Sequence, residues 1–200
     1  MAKQPKKNKG ELFPALSDIE TEMSNVRSKG RYRAALRSTA GVVLVVAALA
    51  VLVATLLLPV LRVTGTSMQP GFQPGDILVV YKTDDLKQGD VCAFYFNNKL
   101  IIKRIIGQGG DTIEIDEEGH VSVNGLQLEE EDYISEYALG MCDLEFPFKV
   151  PIGEYFVLGD NRDNSVDSRA QNFGCVTNEE MLGKILARIW PANGIKWYGF

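Results

Sequence analysis

The chain has 200 residues, 46% of them apolar, and a formal net charge of −5, which suffices for one membrane anchor plus one domain of average size. Residues 1–37 carry nine basic and four acidic side chains, a net of +5, whereas residues 62–200 carry twelve and twenty-two, a net of −10. An acidic domain without a basic stripe argues against nucleic acid as a partner.

Residues 1–26 are polar, rich in lysine at the start and without a sustained period. The 1–37 tail is therefore expected to be mostly disordered, with a short helix around residues 17–26. Residues 38–61 follow, 24 residues without a charge. Their run of Val, Leu and Ala has no polar face, so the segment is expected to be a transmembrane helix and not an amphipathic surface helix. It starts too late and runs too long for the core of a cleaved signal peptide. Pro59 lies near its outer end, where a missing N–H costs little. Arg27, Lys29, Arg31, Arg33 and Arg37 crowd the preceding side, against Arg62 on the other. Basic residues stay on the cytoplasmic side, so a single-pass protein of the cell membrane is expected, with its N-terminus in the cytoplasm and residues 62–200 outside. The same cluster suits anionic membrane lipid.

Beyond the anchor the pattern changes to short β-branched and aromatic runs: residues 77–81, 91–97, 100–106, 112–115, 120–123, 155–158 and 184–190. Residues 116–119 and Asn124-Gly125 read as turns, and residues 178–181 as a single helical turn. The expected fold is an all-β domain of short antiparallel strands, partly closed or sandwich-like, behind one N-terminal transmembrane helix. Cys92, Cys142 and Cys175 lack metal spacing. They read as small buried hydrophobes, or as one disulfide and one free thiol.

The single histidine, His120, falls in the acidic hairpin without neighbouring ligands, so neither a metal site nor a Ser-His-Asp triad is expected there. Gly65-Thr66-Ser67-Met68-Gln69-Pro70 places a serine in a proline-stiffened turn just past the span. Lys103 sits among isoleucines. If buried, it is disfavoured as an ammonium, and a neutral amine is a good base for a serine hydroxyl; otherwise it snorkels to solvent. Residues 159–169, Gly-Asp-Asn-Arg-Asp-Asn-Ser-Val-Asp-Ser-Arg, are too charged for a strand, and their arginines suit carboxylate pairs that stiffen a loop. An EF-hand reading of this loop lacks the Gly and the terminal Glu.

Ser67-Met68-x-Pro70, Gly75-Asp76-Ile-Leu-Val, Lys103-Arg104-Ile-Ile-Gly107-x-Gly109-Gly110-Asp111 and the 159–169 run occur in this order. Together they resemble the sequence boxes of bacterial type I signal peptidases, in the compact form common in Gram-positive bacteria. The resemblance implies a membrane-anchored serine endopeptidase that removes signal peptides from exported preproteins through an acyl-enzyme, without cofactor or metal. It implies Ser67 as nucleophile, Lys103 as general base and Ser165 as the hydroxyl that orients the lysine amine. Asp167 with Arg169 would hold the loop, and Asp160 would pair with Arg104. The Ser67 N–H would serve the oxyanion hole. Gly65 stands where some members have a further hydroxyl donor, and Gly71 where members usually have Thr. An extended substrate would pair with the segments leading into Ser67 and Lys103. Shallow pockets there would accept the small residues of Ala-x-Ala cleavage sites. Val63, Met68, Ile101 and Ile102 are the candidate walls, with ordinary core as the alternative. Phe72, Trp190, Trp197, Tyr198 and Phe200 suit either the headgroup region or core packing. Self-cleaving repressors share a Ser–Lys pair, but they need a DNA-binding domain and no anchor. A binding module descended from a peptidase would have lost Ser67, Lys103 or Ser165.

Overall fold

The computed structural model describes residues 16–198. The lysine-rich start of the tail, residues 1–15, and Phe200 lie outside the described residues. The chain divides between Val53 and Ala54 into two compact units.

Among its described residues the first unit is one helix, α1 (Leu16–Leu57), which runs on into the start of the second. Its stretch Arg37–Leu56 has the length and composition to cross a membrane, about 30 Å at 1.5 Å per residue. Val42, Leu44 and Leu49 there are 60–70% exposed. Two expectations change. Residues 16–37 are helical, not mostly disordered, and continue into the apolar stretch without a break. Extending an existing helix is far easier than nucleating one, so the apolar segment carries the polar one with it. The helix also ends at Leu57, short of residue 61. Pro59 disfavours helical geometry at the residue before it, and residues 60–62 find a strand partner instead.

The second unit is built of antiparallel strands. The larger sheet contains β1 (Val60–Arg62), β2 (Ile77–Tyr81), β3 (Val91–Phe96), β4 (Lys99–Gln108), β9 (Glu154–Leu158), β10 (Val176–Thr177), β11 (Met181–Trp190) and β12 (Lys196–Trp197). Its order is β1-β2-β11-β3-β4-β9-β10, with β12 also on β11. The smaller sheet contains β5 (Thr112–Ile115), β6 (Val121–Val123), β7 (Leu126–Gln127) and β8 (Phe148–Lys149), in the order β7-β6-β5-β8. Of residues 178–181, expected as a helical turn, 178–180 form a turn that leads directly into β11 at Met181. Glu180 folds back to accept hydrogen bonds from the Thr177 N–H and hydroxyl, which closes that turn.

Strand β3 explains why the sheet reads poorly as alternating. Val91 and Ala93 enter one apolar cluster with Leu78, Val80 and Ile185, while Cys92 and Phe94 enter another with Ile105 and Val157. A strand covered on both faces is apolar throughout. A third cluster joins the larger sheet to the smaller through Ile106, Phe156 and Leu158 on one side and Ile113 and Val121 on the other.

This core fixes three segments. The β1–β2 connection carries Ser67 between buried Val63, Met68 and Phe72. Strand β4 carries Lys103 opposite Cys92 of β3. On its other edge β4 pairs with β9, with Arg104 opposite Leu158. The 159–169 loop leaves the end of β9 and so starts beside Lys103.

Candidate active site

Ser67 sits in a tight turn pinned from both sides. Met68 is in the core, the Phe72 N–H donates to the Met68 carbonyl at 2.9 Å, and the Phe72 ring packs on Tyr198 at 4.9 Å. The turn is closed by Asp76, which accepts from the Gln73 N–H and pairs with Arg188 at 3.1 Å. Tyr198 and Phe72 thus pack into the core, while Trp190 and Trp197 are exposed.

Lys103 is 2% exposed. Its Nζ donates to Ser165 Oγ at 2.6 Å, and Ser165 Oγ donates to Asp167 Oδ2 at 2.6 Å. Burial pulls the Lys103 amine down from 10.5 to about 8, the Asp167 carboxylate opposing that pull and the Arg169 guanidinium adding to it. Asp167 is a junction. Arg169 grips it with Nε and Nη2 at 2.8 and 2.9 Å, and the Gly159 N–H donates to it at 3.0 Å. Burial works against the Asp167 charge, but these donors outweigh it and hold the carboxyl below its usual range. Asp160 and Arg104 form a two-pronged pair at 2.8 and 2.7 Å. There burial prevails over the guanidinium and lifts the Asp160 carboxyl above its usual range.

Gly159 is the point where the two halves meet. A methyl group built on its Cα would overlap the Ser165 hydroxyl and would stand 2.6 Å from the Ser67 carbonyl. Only glycine lets the loop backbone approach the Ser165 side chain and the Ser67 carbonyl this closely. Two asparagines add to the closure: the Asn161 N–H donates to the Ser67 carbonyl at 3.0 Å, and Asn164 Nδ2 to Thr66 Oγ1 at 3.1 Å. Neither asparagine was singled out from the sequence, although both fall inside the 159–169 run. Among the described residues, every fully buried side-chain nitrogen and oxygen has a hydrogen-bond partner.

Ser67 opens into a cleft of about 440 Å³ lined by Leu61, Arg62, Val63, Thr64, Gly65, Met68 and residues 99–102. All four candidate wall residues, Val63, Met68, Ile101 and Ile102, line it. Val63 and Met68 also belong to the core. A side chain at Gly65 would point into open space, and one at Gly71 would make ordinary contacts at 3.6 Å.

Other groups stand apart from this cleft. His120 is half-buried, pairs with Asp116 at 3.0 Å and packs its ring at a tilt against Tyr137, 4.3 Å between centroids. Among the described residues, the group with metal-ligand geometry is Asp116, Glu118 and His120 on that hairpin, its carboxylates exposed. The three cysteines are free thiols. Burial lifts Cys92 and Cys175 to about 12, which leaves both protonated and inert at neutral pH.

Comparison with known proteins follows the same segments. The sequence pattern of the family described as signal peptidase, peptidase S26, matches residues 36–190. The signal peptidase I of Leptolyngbya laminosa is 39% identical over 122 residues, 60% of this chain and 53% of that protein. The signal peptidase I of Bacillus licheniformis is 34% identical over 167 residues, 77% and 88% of the two chains. A solved signal peptidase I from Enterococcus faecalis is 31% identical over 50% of this chain and 96% of its own, with a TM-score of 0.41. The chain thus spans about half of the Leptolyngbya relative and most of the Bacillus one.

Proposed function

The chain belongs to the signal peptidase family, peptidase S26, and from that footing we propose that it is a membrane-anchored serine endopeptidase that cleaves signal peptides from exported preproteins. The observation that carries this reading is the Lys103 amine, buried one residue beyond the 99–102 wall of the Ser67 cleft, held at 2.6 Å by Ser165 and lowered to about 8.

The preprotein enters the cleft as an extended strand between residues 61–65 and 99–102. The walls formed by Val63, Met68, Ile101 and Ile102 take small side chains at the cleavage site. Ser67 Oγ attacks the scissile carbonyl carbon while neutral Lys103 Nζ takes the hydroxyl proton. The carbonyl oxygen becomes an oxyanion, and the Ser67 N–H stabilises it. Collapse breaks the C–N bond. The leaving amine of the mature protein receives the proton from the Lys103 ammonium, and the signal peptide remains as an ester on Ser67. A water molecule, deprotonated in turn by Lys103, attacks the ester and restores the hydroxyl. Ser165 holds the amine on this path, Asp167 and Arg169 hold Ser165, and the Arg104–Asp160 pair fixes the start of the loop. Helix α1 anchors the protein in the cell membrane, its basic flank in the cytoplasm and the β unit outside.

The test is cleavage of a secretory precursor with an Ala-x-Ala site by the purified full-length chain in detergent micelles, with the cut position read by mass spectrometry. A single cut after that site, lost in Ser67→Ala, is expected. Cleavage elsewhere, or undiminished cleavage by Ser67→Ala, contradicts the reading.

A further inference from the structure

The segment between β7 and β8 contributes no residue to the Ser67 cleft, yet it grips the 159–169 loop at several points. Glu130 is 0% exposed and accepts hydrogen bonds from both terminal nitrogens of Arg162, one of them at 3.0 Å. Tyr133 donates its hydroxyl to the same carboxylate at 2.7 Å and lays its ring against the Arg104 guanidinium at 3.9 Å. The carbonyls of Ala138 and Leu139 accept from Arg169 Nη1 at 3.2 and 2.6 Å. Gly140 lies so close to the Arg162 carbonyl that a methyl group there would overlap it.

Arg162 crosses the interior of the loop as a strut. Its Nε donates to the Gly159 carbonyl at 3.0 Å, and its own carbonyl accepts from Arg169 Nη2 at 2.8 Å. It therefore ties Gly159, where Ser67 and Ser165 meet, to Arg169, which holds Asp167. We infer that Glu130 is a positioning residue for the peptidase reaction: by fixing Arg162 it sets the place of Gly159, and through Gly159 the place of Ser165 against Lys103. Tyr133 completes the brace by linking Glu130 to the Arg104–Asp160 pair.

The competing explanation is that the ion pair only supports the fold. Buried pairs are often no more stabilising than apolar residues of similar volume, whereas removing one partner strands a charge. The two explanations differ in what survives when both charges go. With Met at both positions the packing volume is kept and no charge is stranded, but the Gly159 carbonyl loses its donor.

This inference rests on the peptidase reading, so wild-type protein and Ser67→Ala are run beside the variants. The assay uses the full-length chain in detergent with a fluorogenic Ala-x-Ala peptide, below every melting transition. In Glu130→Gln we expect kcat to fall about 30-fold with KM within about twofold, because the cleft walls do not touch Glu130. Tyr133→Phe, which loses one hydroxyl and keeps the ring, is expected to lose about three- to tenfold in kcat. Glu130→Met/Arg162→Met is expected to melt above Glu130→Gln, short of wild type only by the hydrogen bonds that Gly159 and Tyr133 lose, without regaining the wild-type kcat. Wild-type kcat in folded Glu130→Gln or in Tyr133→Phe overturns the inference, as does joint recovery of melting temperature and kcat in the double variant. If Glu130→Gln fails to fold, the other two variants decide. An inactive wild type, or an active Ser67→Ala, sinks the peptidase reading and this inference with it; wild-type cleavage matched by the variants sinks the inference alone.

Discussion

The amine of Lys103 lies in an interior that disfavours an ammonium, so its protonation changes near pH 8 and not near 10.5. The neutral amine is the form that accepts a proton. Turnover should therefore rise as pH increases through 8 and level off above it, with about a tenth of the plateau at pH 7. A rate profile controlled near the ordinary lysine value would remove Lys103 as the base. Lys103→Met should be folded and inactive, because methionine fills the buried volume without the amine. Ser165 and Asp167 make a second pair of tests. Ser165→Ala leaves Asp167 with its Arg169 and Gly159 donors, so melting should change little while kcat drops. Asp167→Ala leaves Arg169 buried without its carboxylate. That costs about 3–5 kcal/mol, a melting shift of about 10 °C in a domain of this size, and activity falls with it. Thermal melts and turnover on both variants check the division; the reverse pattern would exchange the two roles.

At the scale of the element, the 159–169 loop depends on how closely its first residue approaches its neighbours. Gly159→Ala puts a methyl group into the Ser165 hydroxyl and the Ser67 carbonyl, so kcat should fall by about 100-fold or more and melting should drop. Gly71→Ala, in the Ser67 turn, adds a methyl group at ordinary contact distance and should leave kcat within about twofold; equal effects of the two substitutions would contradict this geometry. The elements differ in how well they could be read beforehand. Residues 77–81 and 112–115 are strands over the expected bounds, because Gly and Asp punctuate them. Strand β4 extends beyond residues 100–106 to Lys99 and Gln108, polar ends that become strand through their partners on β3 and β9. The two-residue strands β7, β8, β10 and β12 have no period of their own and exist through pairing. In the site, Ser67, Lys103 and the charged loop stood out through their ordered boxes. Glu130 did not: nothing in Glu129-Glu130-Glu131-Asp132 marks which carboxylate turns inward, since that choice is made by Arg162, thirty-two residues away.

For the whole molecule, the proposed orientation has a direct test. Protease added to intact spheroplasts should degrade residues 62–200 and spare the tail, whereas protection of the β unit would place it on the other side. A unit that faces outward meets a medium whose ionic strength the cell does not set. At molar salt, counter-ions screen charges over about 3 Å, which is enough to dissolve exposed pairs such as Lys87–Asp85. The charges that hold the 159–169 loop are out of their reach: Glu130, Asp167, Arg162 and Arg169 are at most 1% exposed. Turnover of a neutral peptide should therefore stay within about twofold between dilute buffer and molar sodium chloride; a steep fall would mean that salt water reaches the loop. With its ion pairs buried in this way, the loop should be indifferent to brine.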